Sequence, residues 1–542
     1  MSDLNNRFKR QFSVFISVVI LIVTFINFNY STGNIYASKG TTDVDGVSYT
    51  YNVNEDGDTA TVIKIQTKET EVEIPAEIDG YKITSLGSIS LLYSSSLEKL
   101  KLPKTLETYA DGALNQLISL KSIDVAENNP TYAAVDGILY TKDKTKLLSV
   151  PPGYPATEFT TPENVTEIGM QACLLNQNIV YFETSDNLVT IGNSAFSSSV
   201  SLEEIYISKS VVNIGTNVFG KCYKLYFIDT NRKNPEFSSL LGVLYNKDYT
   251  SLIQFPVGNE TDEYEIVNGC TEISVNAFNG AVNLKKVNIP ESVTLIDTSA
   301  FDGSGITEID VPDSVTEIGI TAFANCSELV RVHIPDAITE LSDSLFMGCT
   351  SLEEVNLPSK ITEIPIATFY MCASLAEIEI PDTVTLIGQG AFQGCTSLKS
   401  IVIPKQCTKI DSLAFTDCIN LSEITIYEKV KTIADKAIGY SRDIFMEDIP
   451  IDNGLVINCY TDTAAEKYCI ENTITSKSMG SPPAVYNLTW ADVTTLKNHL
   501  VGIKSITQKT YNWNKYDVNV DGVINIADLN MMKYVLMFYI SD

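Results

Sequence analysis

Apolar residues return every 23 positions through residues 322–426, and three of the resulting columns are fixed in residue type. Phe323, Phe346, Phe369, Phe392 and Phe415 form one column, and Cys326, Cys349, Cys372, Cys395 and Cys418 form another. Leu329, Leu352, Leu375, Leu398 and Leu421 form a third, each followed by apolar residues three and five places on, as Leu352 is by Val355 and Leu357. That alternation predicts a short, half-buried strand in every repeat. Pro335, Pro358, Pro381 and Pro404 end four of these strands, because proline lacks the N–H that would extend the ladder. The other half of each repeat, as in Val315, Ile318 and Gly319, predicts a turn and a second short apolar segment before the Ala-Phe pair. A fixed period of this size is the signature of a solenoid, with one coil per repeat. A single coil buries too little to offset the ordering of its own backbone, so stability belongs to the stack.

Earlier in the chain, strands are expected to start near Leu97, Leu120, Ala156, Ile179, Leu202, Leu225, Thr261, Leu284, Ile306 and Leu329. Most of these intervals are 23 and one is 22, but those ending at Ala156 and Thr261 are 36, so each carries 13 extra residues. The two insertions resemble each other: residues 129–140 match 234–245 at an offset of 105, with Lys142-Asp143 and Lys247-Asp248 following and Pro151 and Pro256 closing each. They predict β-hairpins projecting from one edge, and insertions of this kind often sit on a binding face. Residues 41–96 read as an amino-terminal cap and first coil, with a hairpin turn at 54–57, and residues 97–454 as the solenoid. A strand and short helix at 455–472 would close the array, followed by a Ser-, Gly- and Pro-bearing linker at 473–485 and a separate module at 486–542. Residues 1–37 read as an export signal, with Arg7, Lys9 and Arg10 before an apolar run at 12–28 and a cleavage site near Ala37. An uncleaved anchor is the alternative.

The run Ala391, Phe392, Gly394, Cys395, Leu398, Ile401, Ile403 and Pro404 resembles the leucine-rich repeats of the BspA type, found on bacterial surface and secreted proteins. The resemblance is specific because many copies keep one spacing. It implies a mainly β solenoid of short strands and turns.

A net charge of −29 argues against nucleic acid phosphates or an anionic membrane as the partner. With only His333 and His499, there is little room for histidine-based catalysis or zinc sites, and His333 reads as a solvated strand residue. Nine of the 11 cysteines fall in apolar columns: Cys222 joins the cysteine column, Cys173 the phenylalanine column, and Cys270 and Cys407 the column of Val315. They read as small buried thiols, although neighbouring coils lie within bridging distance. Cys459 and Cys469, near the end of the array, are the pair best placed for a disulfide.

The carboxyl end carries separate chemistry. Asp517, Asn519, Asp521, Gly522, Val523, Asn525 and Asp528 place oxygen donors at positions 1, 3, 5, 9 and 12 of a loop, with glycine at 6 and the Val523 carbonyl at 7. This is the arrangement a Ca2+ loop of the EF-hand kind needs, with Asp in place of the usual Glu at position 12. Helical segments at 493–501 and 529–538 look like two copies of one unit, Leu496 aligning with Met532 and Leu500 with Leu536. Paired loop-helix units without an entering helix resemble a type I-like dockerin, the module that plugs proteins into the cohesins of a cellulosome scaffold. The resemblance implies a small α-helical domain whose cohesin contacts are Trp490, Ala491, Ile526 and Ala527, with Lys497 and Lys533 beside them. The first copy has Ser481, Pro483 and Val485 where ligands would stand, so one calcium is expected and the second loop is degenerate.

A ligand surface is expected where outward strand positions carry aromatics beside carboxylates: Tyr181, Glu183, Glu204, Tyr206, Tyr226 and Phe227. Tyr181, Glu204 and Phe227 should lie in one row across three strands. The alternative is that the second insertion covers them. Other glutamates recur on the repeats as a solvated face rather than as a glycosidase pair, and no stretch of 41–472 is left over for a catalytic domain. The sequence therefore reads as a secreted, extracellular, non-catalytic protein. Its solenoid would bind a protein or glycan, and its dockerin would anchor it to a cohesin on a cellulosome at the cell surface. A surface adhesin or protease-inhibitor-like protein, and less readily a polysaccharide-degrading enzyme, are the alternatives.

Overall fold

The computed structural model describes residues 38–87, 96–442 and 447–482. Within them the chain winds into a β-solenoid of about 18 turns with a 23-residue period. Most coils lay one strand of three or four residues on a first face and one of two residues on a second. On the first face Glu158–Thr160, Tyr181–Glu183, Glu204–Ile207 and Phe227–Thr230 run parallel as one sheet. On the second, Glu167–Ile168, Thr190–Ile191 and Asn213–Ile214 do the same.

Between the faces the phenylalanine column stands in file. From Phe278 through Phe301, Phe323, Phe346, Phe369 and Phe392 to Phe415, successive ring centroids lie 4.8, 5.4, 5.8, 5.7, 5.3 and 5.2 Å apart, stacked with their planes nearly parallel. The cysteine column has its own logic. Each thiol donates to the carbonyl of the phenylalanine one coil back, from Cys326 to Phe301 at 3.0 Å through Cys418 to Phe392 at 3.1 Å. A small side chain with a weak donor satisfies a buried carbonyl that a larger apolar one would leave orphaned. Cys222 does the same for Phe196 at 3.0 Å, and burial pushes its thiol up to about 12. All 11 cysteines are free and buried, Cys459 and Cys469 included; those two thiols are hydrogen-bonded to each other. Coils approach so closely that a Cβ on Gly388 would meet the Pro365 carbonyl carbon at 2.7 Å, which is why glycine ends that short strand.

Both insertions form hairpins, but they do not project freely. Tyr132–Val135 pairs antiparallel with Ile138–Thr141, which pairs with Lys146–Ser149 at the head of the second-face sheet. Phe237–Leu240, Val243–Asn246 and Ser251–Gln254 repeat the arrangement. The extra residues continue an existing ladder, where their backbone groups find partners that an isolated hairpin would lack. Each hairpin turn also closes a first-face row: Ile123 N donates to Gly137 O at 2.8 Å and Ile228 N to Gly242 O at 3.0 Å. The core is consequently segmented, and one hydrophobic cluster runs from Ile138 in the first hairpin to Leu244 in the second.

A sheet covers one end of the described array and a helix the other. Ser38–Val44, Val47–Val53 and Thr59–Gln66 form an antiparallel sheet whose inner face carries Tyr49, Val62 and Ile65. At the other end, helix Ala464–Glu471, capped by Thr463, brings the Tyr468 hydroxyl to the backbone N–H and C=O of Ile438 at 3.0 and 2.9 Å. The expected linker at 473–485 differs from its reading: Thr475–Ser478 is a strand paired with Val456–Cys459. All four of its residues are exposed, so its pairing is made by the backbone and leaves no apolar trace.

Candidate functional site

The sheet between the two hairpins is unlike the rest of the first face. Its register aligns Glu158, Tyr181, Glu204 and Phe227 in one outward row, and Thr160, Glu183, Tyr206 and Asp229 in the next. The expected file of Tyr181, Glu204 and Phe227 is therefore present, and carboxylates alternate with aromatics along both rows. Neighbouring strands lie about 4.8 Å apart, so each ring has a carboxylate beside it. Phe227 is 37% exposed and Tyr226 42%, while Tyr181, Glu183, Glu204 and Tyr206 are half-buried. Tyr226 lies outside the two rows, and its hydroxyl hydrogen-bonds the Glu204 carboxylate. Asn231 donates to the Tyr206 hydroxyl at 2.8 Å. Burial first, and then Glu183 and Glu204, push the Tyr181 phenol up. The second hairpin covers these residues only in part: Gly242 sits against the edge of the Phe227 ring.

Each hairpin is held by one buried asparagine. Asn234 Nδ2 donates to Ser208 O and Val211 O, both at 2.8 Å, and its Oδ1 accepts from Glu236 N and Phe237 N at 2.9 and 2.7 Å. Asn129 makes the same four bonds to Pro103 O, Leu106 O, Thr131 N and Tyr132 N. At the turns the copies diverge. Asp136 and Leu241 both adopt a left-handed backbone, with φ of 50° and 53°, but Leu241 is 79% exposed, beside the exposed Leu240. The sequence reading missed this leucine pair; the signal was a leucine standing where the offset copy has aspartate.

Electrostatics separate this sheet from its neighbours. Elsewhere on the first face some outward carboxylates meet a cation on the next strand, as in Glu71–Lys99 at 2.6 Å, Glu263–Lys286 at 3.5 Å and Glu308–Arg331 at 2.6 Å, while others, Glu377 and Glu379 among them, form no ion pair among the described residues. Among the described residues, Glu158, Glu183, Glu204 and Asp229 form no such ion pair. A second candidate, an open cavity of about 150 Å³, lies where Lys286–Asn288 and Glu308–Asp310 belong to different sheets, at the 22-residue interval. On its rim Lys286 and Glu308 are already paired, with Glu263 and Arg331. His333 is exposed and bonded to Asn356 at 2.9 Å, as a solvated strand residue should be.

The expected calcium ligands Asp517, Asn519, Asp521, Val523, Asn525 and Asp528 lie outside the described residues, as do the cohesin contacts Trp490, Ala491, Lys497, Ile526, Ala527 and Lys533 and the export signal. Among the described residues no group of three His, Cys, Asp or Glu is placed to hold a metal, and no helix is long and apolar enough to cross a membrane.

Comparison with known proteins gives a consistent picture. The BspA type leucine rich repeat region matches residues 67–134, 153–246, 258–369, 316–444 and 362–473, and the dockerin type I domain matches 487–537. A search of curated proteins finds no match. Similar solved structures include a leucine-rich repeat protein from Bacteroides ovatus (21% identity, 81% of this chain and 99% of that one, TM-score 0.43). Another comes from Eubacterium ventriosum (23%, 66% and 95%, TM-score 0.41). A leucine rich cell surface protein from Faecalibacterium prausnitzii is also similar (21%, 82% and 99%, TM-score 0.33). With family matches spanning well over half its length, the chain belongs to the BspA type leucine-rich repeat proteins and carries a dockerin type I domain at its carboxyl end.

Proposed function

We propose that this is a non-catalytic, extracellular binding protein, whose solenoid holds a ligand on the sheet between the hairpins and whose dockerin docks it to a cohesin. The observation that carries the reading is the union, in one chain, of a dockerin with a repeat array whose single aromatic-rich outward sheet is bracketed by two insertions. The donors Asp517, Asn519, Asp521, Asn525 and Asp528 are all hard oxygens, the chemistry calcium selects. They, with the Val523 carbonyl, would hold the ion, which when bound cross-links the loop into one rigid turn. Trp490, Ala491, Ile526 and Ala527, with Lys497 and Lys533, would then face the cohesin.

The test is a cohesin panel assayed with and without chelator, using the full chain and an Asp517→Ala, Asp521→Ala double variant. Binding to at least one cohesin, lost in chelator and in the variant, is expected. Binding retained in both would rule out calcium-supported docking. Release of sugar from plant polysaccharides by the purified chain would overturn the non-catalytic part.

A further inference from the structure

We propose that the ligand of the bracketed sheet is a basic, partly apolar segment of a partner protein, gripped by its checkerboard of carboxylates and aromatics beside the leucine tip of the second hairpin. This rests on the reading of that sheet as the ligand surface and adds the chemistry of what it takes.

Three observations favour such an occupant. First, Glu158, Glu183, Glu204 and Asp229 share one face of four adjacent strands with no cation among the outward positions, whereas Glu71, Glu263 and Glu308 on the same face each meet a cation on the next strand. Like charges held this close repel until a partner supplies the missing cations, and complementary charge governs encounter and choice of partner. Second, Tyr181 and Tyr206 each stand between two carboxylates and Phe227 beside Glu204, so an arginine guanidinium can lie over one of these rings and still reach an oxygen on the next strand. A neutral sugar would use the rings and leave the charges uncompensated, and an acidic one would add to them. Third, Leu241 is 79% exposed in a left-handed turn where the first hairpin has Asp136. Among the described residues nothing covers that side chain, and an aliphatic tip packs on apolar protein surface better than on a hydroxylated glycan.

The probe is a short fluorescent peptide of alternating arginine and leucine, titrated with the full chain and followed by anisotropy. A glutamate-for-arginine peptide, cellohexaose and xylohexaose serve as comparison ligands. The Glu204→Gln, Asp229→Asn double variant is expected to weaken peptide binding about tenfold, and high salt to weaken it similarly. A Glu377→Gln, Glu379→Gln double variant, which removes two charges from the same face several coils away, is expected to change it less than about twofold. Leu241→Asp, which keeps the turn, is expected to weaken it about threefold. Equal losses in the two double variants would mean that only the net charge of the chain attracts the peptide, and would overturn the proposal. Salt-insensitive binding of a hexasaccharide, lost in Tyr206→Ala, would overturn the peptide while keeping the sheet as the ligand surface. Silence of every probe would overturn the peptide and leave cohesin docking to its own assay. Self-association of the chain, abolished by Leu241→Asp in sedimentation velocity, would overturn it in favour of a second copy.

Discussion

The coils from Phe278 to Phe415 and those from Ile138 to Leu244 share one period and solve it differently. In the first region every coil repeats the same buried phenylalanine, and successive rings stack within 16° of parallel. In the second, Cys173 stands in the phenylalanine column, which leaves only Phe196 and Phe219 stacked there, at 14°, while the strand residue Phe182 meets Phe196 edge-on at 76°. Yet the inter-coil hydrogen bond is the same: Cys173 N donates to Ala195 O at 2.7 Å just as Phe346 N donates to Thr368 O at 2.9 Å. The backbone ladder sets the coil geometry, and the columns decide only how well its interior is filled. The bracketed region is also where the outward rows combine aromatics with carboxylates that no cation meets.

The sharpest way to break the regular region is to remove one ring from the file. Phe346 lies 5.8 and 5.7 Å from Phe323 and Phe369 and is fully buried. Phe346→Ala is expected to cost about 3–5 kcal/mol. Because each coil contacts only its neighbours, the denaturation profile should also split into two transitions. Cys173→Ala, at the same place in the other region, is expected to cost about 1–2 kcal/mol without splitting it. Equal losses in urea titrations would show that the stacked rings add nothing beyond their volume.

The next effect lies in the joints that separate the regions. Asn234→Ala leaves two buried carbonyls and the buried Phe237 N–H without partners, with the Glu236 N–H part-exposed beside them, an expected loss of about 3 kcal/mol. Hydrogen exchange should show opening confined to residues near 234–246 while the coils from 278 onward stay protected. Protection lost evenly along the chain would mean that the hairpins are not separable joints.

Much of this contrast was legible in the sequence, for a physical reason. Buried columns must repeat because each coil packs on the last, so Phe346, Cys349 and Leu352 announce both period and interior. The offset of 105 between the insertions announced two equivalent hairpins, and fixed register then put Tyr181, Glu204 and Phe227 in line. Thr475–Ser478 was not legible, because a strand held by backbone pairing alone needs no pattern of side chains. Nor was the attachment of the hairpins to the second face, which depends on which free ladder edge lies within reach. The unpaired state of Glu204 and Asp229 was hidden too, since it is a property of what stands one coil away rather than of the residues themselves.

A smaller change sharpens the comparison in the opposite direction. Leu241 and Asp136 occupy the same left-handed position of two equivalent turns, and that conformation sets a branched aliphatic side chain against its own carbonyl, a strain that aspartate tolerates better. Because Leu241 is 79% exposed, replacing it gives up almost no burial. Leu241→Asp is therefore expected to raise stability by about 0.5–1 kcal/mol, measured as a shift of the first urea transition at unchanged slope. The reverse exchange, Asp136→Leu, should lower it by a similar amount. If Leu241→Asp instead destabilised the chain, the leucine would be part of the folded interior, and the second hairpin would differ from the first in packing as well as in what it presents to solvent. A gain in stability accompanied by a loss of peptide affinity would separate the two roles, because a residue that strains its own turn yet strengthens an encounter belongs to the interface.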